Sequence, residues 1–319
     1  MNNAMQAGVD AVTKESTISP AVQNWPPLPL ETWLDTYQTL HMWMQIVGKV
    51  RLELTPLSNH WWNVTFYVSP RGLTTSPIPY GDRIFEITFD FIDHQLDIQI
   101  SDGRRKSLPL IPRTVADFYR EFMAALRSLG IEVKVWPVAV EIPELIRLDR
   151  DETRASYDPE SAHRLWRILV STDRVLKQSR AKFSGKASPV HFFWGSFDLC
   201  VTRFSGRPAP PREGADAMTR EAYSHEVISA GFWPGGGNIK GAAFYAYAAP
   251  EPKGFADSKV LPGAAFYDRQ LNEFLLMYDD VRTAADPAQT LLDFVESTYR
   301  AAADLGNWDR ALERRSITR

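Results

Sequence analysis

From Glu31 the apolar residues Trp33, Leu34, Tyr37, Leu40, Met44 and Val47 recur with the period of a helix buried on one face. Gly48 stands where such a helix is expected to end. The period then changes to two. Residues 49–54 alternate strictly, and residues 64–68 are rich in β-branched and aromatic side chains. Residues 84–91 alternate, turn at Asp93-His94 and return over 96–100. All of these are predicted strands, and Asp102-Gly103 marks a further turn. A helix is predicted over 113–128 on Val115, Phe118, Phe122, Ala125 and Leu129, closed by Gly130 and followed by a short strand over 132–136.

The second half repeats this order. Asp158-Pro159 opens a helix that continues past Leu165, Leu169 and Leu176. Strands are predicted over 190–204, 224–229, 241–249 and 271–278, and Asp286-Pro287 opens a last helix on Leu291, Phe294, Val295 and Thr298. Each half thus reads helix, four strands, helix. Residues 68–73 resemble 227–232, and residues 114–118 resemble 290–294. A tandem repeat accounts for this likeness, and so does the frequency of antiparallel strands flanked by helices. The expected fold class is α+β, with sheets backed by helices and a cavity on the second-half sheet. The expected organisation is a disordered tail over 1–24, a first half over 25–150 and a second, site-bearing half over 151–319, together forming one compact unit.

Composition narrows the function. The 319 residues include 36 basic and 39 acidic side chains, a net charge of −3, which argues against a dedicated nucleic-acid binder. Cys200 is the only cysteine, so an intrachain disulfide and a cysteine-built zinc site are both excluded. The first 24 residues lack an apolar signal core, and the longest uncharged run, 54–70, contains Asn59, His60, Asn63 and two prolines. Neither a secretory signal nor a membrane span is expected, and the expected compartment is the cytoplasm.

No sequence motif declares a reaction. Gly235-Gly236-Gly237 lacks the spacing of a phosphate-binding loop, and neither H-E-x-x-H nor a G-x-S-x-G elbow is present. His41, His60, His94 and His163 are scattered and are expected to be solvated or singly hydrogen-bonded. Cys200, between Leu199 and Val201, reads as a buried, inert thiol.

The chemistry-bearing stretch is 190–247. On one continuous strand over 190–204, His191, Phe193, Gly195, Phe197, Leu199, Val201 and Arg203 share a face. Phe192, Trp194, Ser196, Asp198, Cys200 and Thr202 take the other. Trp194, Ser196 and Asp198 together suit a pocket wall, and equally a Trp-capped core edge with a solvated acid. His225 and Glu226 are adjacent, so on a strand they face opposite sides, and either is suited to proton transfer. Trp233 lies on an aromatic, glycine-rich loop, Tyr245 and Tyr247 share a face, and small alanines beside them leave room. Glu273 sits in apolar company and calls for a partner among Arg203, Arg207 and Arg282.

The segments 191–207 and 224–235, with Phe244-Tyr245-Ala246-Tyr247 and the outer landmarks Trp25-Pro26-Pro27-Leu28 and Asp286-Pro287, resemble a bacterial domain-of-unknown-function family. The resemblance runs from Trp25 onward and implies one unit of characteristic length, without an activity or catalytic residues.

Two functions follow from the residues. The first is a small-molecule enzyme. His225, Glu226, Asp198 and Glu273 would supply acid–base chemistry, Arg203 and Arg207 would hold an anionic group, and Trp194, Ser196, Trp233, Tyr245 and Tyr247 would contact an anionic or aromatic substrate. No cofactor is predicted for it. A variant places a divalent metal on His191, His225 and one carboxylate (Glu226, Asp198 or Glu273). The second function is a non-catalytic module that binds a ligand or a protein. The expected partner is a small molecule rather than nucleic acid or membrane, and the oligomeric state is left open.

Overall fold

The predicted helical period continues beyond its expected stop. In a computed structural model describing residues 24–313, α1 (Leu30–Leu54) runs straight through Gly48, and the strand expected over 49–54 does not form. Residues 39–51 are buried without a break, the pattern of a helix enclosed on all sides. Lys49 and Arg51 are therefore interior groups, and their alternation with apolar neighbours imitated a half-exposed strand. Gly48 is small because the Trp194 indole lies against it. A Cβ there would stand 2.3 Å from the ring.

The first sheet contains β1 (Tyr67–Val68), β2 (Gly72–Thr74), β3 (Ile78–Tyr80), β4 (Arg83–Asp90), β5 (Gln95–Ile100) and β6 (Arg105–Pro109). Its order is β1-β2-β4-β5-β6, all antiparallel, with β3 on β4. The alternation of β4 and β5 places Phe85, Ile87, Phe89, Leu96 and Ile98 in the core. α2 (Val115–Ser128) packs on α1, with Trp43 stacked on Phe118 at 4.7 Å between centroids. The strand expected over 132–136 finds no ladder partner and is irregular. After it the chain doubles back as a flap. Ala139 N–H bonds Ile146 O, and Leu148 N–H bonds Pro137 O, each at 2.9 Å.

The second half contains α3 (Pro159–Ala181), β7 (His191–Phe193), β8 (Asp198–Pro208), α4 (Ala217–Ala222) and β9 (His225–Trp233). Then come β10 (Ala243–Ala249), β11 (Phe266–Asp268), β12 (Glu273–Met277), α5 (Tyr278–Arg282) and α6 (Pro287–Leu305). Asp158 and Asp286 cap α3 and α6 as expected, accepting the N–H groups of Ser161 (2.9 Å) and Gln289 (3.0 Å). The sheet order is β11-β12-β10-β9-β8-β7. The single strand expected over 190–204 is instead a hairpin of β7 and β8, which reverses the facing of everything before the turn.

The fold is α+β, helices with antiparallel sheets, and each half holds six strands between two long helices rather than four. The two local likenesses fall on unlike structure. Residues 68–73 form the β1–β2 turn, whereas 227–232 lie inside β9. Thr114 caps α2, whereas Thr290 lies within α6. Edge strands β1 and β7 meet where Phe66 and Phe192 exchange two backbone hydrogen bonds of 2.8 Å, and one hydrophobic core draws on both halves. The tail expected over 1–24 lies outside the described residues except for Asn24, whose carbonyl accepts from Ser171 Oγ on α3 at 2.7 Å. Among the described residues no helix is long and apolar enough to cross a membrane.

Candidate functional site

Arg203 fixes which face of the second sheet is which. Its guanidinium lies under α3 and α6, bonding Ser179 O (2.6 Å) and Glu296 Oε1 (2.8 Å) and resting 4.1 Å from the Tyr299 ring centre. Alternation along β8 sends Asp198, Cys200 and Thr202 to the opposite face. The register adds Ser229, Tyr245 and Tyr247 from β9 and β10, and His191 and Phe193 from β7. These residues line an inner cavity of about 340 Å³. Its remaining walls come from Leu52 of α1, the turn around His60–Trp62, the flap at Val140 and Glu141, and α4 with Tyr223.

Asp198 is buried and accepts hydrogen bonds from the hydroxyls of Ser196 and Tyr245. No cation pairs with it among the described residues, and burial raises its carboxyl above the usual range despite those hydroxyls. Burial likewise pushes the Cys200 thiol well up, so this sulfur is no thiolate. His191 is pushed down to about 3 by burial and is therefore neutral, and its Nδ1 has no hydrogen-bond partner. Thr202 and Ser229 pair at 3.0 Å, as do the hydroxyls of Tyr223 and Tyr247.

The flap is tied down by α1. Gln45 both donates to Val140 O and accepts from Val140 N–H, each at 2.8 Å, while His41 Nε2–H donates to Gly195 O at 2.9 Å. Glu141 is thereby held over Gly195, where a Cβ would stand 2.4 Å from its carboxylate. Its backbone is left-handed, with φ 59°. The residue as a whole is exposed, yet partial burial of its carboxyl, then the charges of Asp198 and Asp216, push it up to about 7. Glu141, Gly195 and Ser196 also border an outer cavity of about 730 Å³, lined further by Tyr37, Trp233 and the loop 235–237. At the opposite rim, His60 Nδ1–H donates to the Glu221 and Ala222 carbonyls (3.2 Å each), leaving Nε2 to accept from Lys186 Nζ at 2.7 Å.

Of the residues singled out from sequence, Asp198, Ser196, Tyr245 and Tyr247 share the inner cavity. Trp194 lines it too, but as a structural plug, its indole N–H bonded to Val64 O at 2.7 Å. His191 joins the Asp198 face, contrary to expectation, because of the β7–β8 hairpin. Trp233 belongs to the outer cavity. Arg203 is the helix-facing group described above. Glu226 faces the opposite way from the cavity and pairs with Arg207 at 2.6 Å, and Arg207 also bonds Gly306 O at the end of α6 (2.7 Å). His225 bonds Ser224 Oγ at 3.1 Å beside the His60 ring and does not line the cavity.

Glu273 sits on a neighbouring surface with Arg212 and Leu271, pushed up to about 7 by burial, then by Asp198 and Asp268. None of the three expected arginines reaches it, and Arg282 pairs with Asp279 instead. The set His191, His225 and Glu226 does not converge, and among the described residues no three His, Cys, Asp or Glu side chains are placed to hold a metal. Sequence reasoning missed Glu141 and His60. The available signal for Glu141 was the one that flagged Glu273, an acid inside an apolar run, here Val138-Ala139-Val140-Glu141-Ile142. His60, expected to be solvated or singly hydrogen-bonded, is 4% exposed and bonded through both ring nitrogens.

No curated protein and no solved structure matches the chain. The family model that does match covers residues 25–315, from the Trp25 that enters the core to just past the last described residue, and the chain belongs to that family, DUF5996, a family of unknown function.

Proposed function

We propose that the inner cavity carries out acid–base chemistry on a small molecule, with Asp198 and Glu141 as the two exchanging groups. The observation that carries this reading is Asp198, a buried carboxyl without a cation, anchored by two hydroxyls on the wall of a cavity large enough for a ligand. Glu141, near 7, is half protonated at neutral pH, where a general acid–base group is most effective. One carboxyl gives a proton to the substrate while the other takes one, and which of the two is ionised is set by the charge of what binds between them. Tyr245 orients Asp198, while Tyr247 and Phe193 give flat faces for the substrate skeleton. His225 and Glu226 have no part in this chemistry. A second reading, binding without turnover, is favoured by one observation: both Asp198 oxygens already accept from protein hydroxyls.

The test is to incubate the full chain with a mixed metabolite extract and follow each compound by mass spectrometry. Wild type is expected to consume at least one small polar compound, about 10²-fold or more slowly after Glu141→Gln or Asp198→Asn. Glu226→Gln leaves the rate unchanged. A compound retained but never consumed selects the binding reading, and turnover indifferent to both cavity substitutions removes the proposal.

A further inference from the structure

We infer that the ligand of the inner cavity is a one-ring organic amine, its ammonium group lodged between Asp198 and Glu141 and a hydroxyl at its far end donating to His191. This rests on the reading of that cavity as the functional site and adds the chemical class of what enters it.

Three observations on different elements carry the inference. The first is charge. Asp198 on β8 and Glu141 on the flap line one cavity, the charge of Asp198 helps raise the Glu141 carboxyl, and no cation pairs with either among the described residues. Arg203 is committed to Glu296, Arg207 to Glu226 and Lys186 to His60 Nε2, while Lys49 lies against the Trp194 ring and Arg212 against the Tyr223 ring, neither paired with Asp198 or Glu141. An anionic ligand would add to the repulsion, whereas an ammonium group supplies the missing counter-charge and donors for carboxylate oxygens.

The second is His191, 1% exposed and lining the same cavity, whose ring finds no hydrogen-bond partner among the described residues: Nδ1 is sealed inside the protein, so a ligand in the cavity meets Nε2. A buried polar atom left unpaired costs free energy until something pairs with it. Because burial keeps this imidazole neutral, it offers a lone pair to a hydroxyl rather than a charge to an anion.

The third is spacing and surface. His191 stands opposite Cys200, two residues along β8 from Asp198, so the two polar ends are roughly 7–9 Å apart at the backbone. Between and around them lie Phe193, Tyr245 and Tyr247, whose ring faces favour both an aromatic skeleton and a cation. The span suits an amine and a hydroxyl at opposite ends of one ring.

The experiment is calorimetric titration of the full chain, at about pH 8, with four probes of one shape: tyramine, phenethylamine, 4-hydroxyphenylacetamide and 4-hydroxyphenylacetate. Tyramine is expected to bind, the neutral amide about tenfold or more weakly, and the carboxylate not at all. Glu141→Gln and Asp198→Asn should each weaken tyramine about tenfold or more. Glu141→Gln, on the flap, carries this comparison if Asp198→Asn lowers the folded fraction. His191→Phe should weaken tyramine and spare phenethylamine, which lacks the hydroxyl. If the amide or carboxylate binds as well as tyramine and Glu141→Gln abolishes that binding, the ammonium class is wrong and the cavity stays the site. If tyramine binds equally to wild type and every variant, the cavity itself is the wrong site. Binding of none of the four overturns the inference.

Discussion

Glu141 is a carboxyl whose environment changes sharply on folding. Held over Gly195 and facing Asp198, it rises from about 4.5 to about 7. Between those values the folded protein keeps a proton that the unfolded chain has lost, so stability falls as pH rises across the window and levels off above it. Glu273, also near 7, contributes in the same sense. Thermal unfolding of Glu141→Gln should therefore show a shallower decline between about pH 4.5 and about pH 7 than wild type. Parallel curves would mean that the carboxyl is as hydrated folded as unfolded. The residues legible from sequence were those whose facing depends on one strand: Asp198, Tyr245 and Tyr247 follow from alternation alone. Glu141 does not, because the group that aims it is Gln45, which bonds the neighbouring Val140 from 95 residues earlier and on a helix.

Among the elements, α1 departs furthest from what its sequence suggests. Polar His41, Gln45 and Lys49 recur every four residues along one stripe, and all three are buried. His41 holds the β7–β8 turn, Gln45 holds the flap, and the Lys49 ammonium lies 5.8 Å from the Trp194 ring centre. Gly48, between them, is the contact point for that indole. In an ordinary helix interior, Gly→Ala stabilises by about 1 kcal/mol. Gly48→Ala should instead destabilise by about 1–3 kcal/mol, since the new methyl must displace a packed ring. Denaturant unfolding measures the sign directly, and a gain in stability would show that Trp194 can move. Sequence reasoning ended α1 at Gly48 because glycine more often marks a helix stop than a helix crossing. Long elements with strong periods, such as β4, α2, α3 and α6, were legible. The short strands β2, β3 and β11 were not, since two or three residues carry no measurable period.

On the scale of the whole molecule, the halves are neighbours in sequence but not independent in packing. The Trp194 indole needs Gly48 to lie against and Val64 O to bond, and β7 needs β1 along its edge. A chain of residues 151–319 alone should therefore lack the sharp near-ultraviolet circular dichroism of packed aromatic rings. A cooperative, fully folded fragment would show that the second sheet closes its own core. That the first helix serves both sheets was not legible, because nothing local to 30–54 names its partners.

The enclosed helix also has a consequence for how the protein is made. At about 5–20 residues per second, roughly 140 residues must be added after α1 before β7 and β8 exist to cover it. Its apolar interior surface is then uncovered for roughly 10–30 s on each ribosome, while the first sheet can shield only one side. The segment that ends as the best-protected part of the protein is, during synthesis, the part a chaperone has most reason to hold.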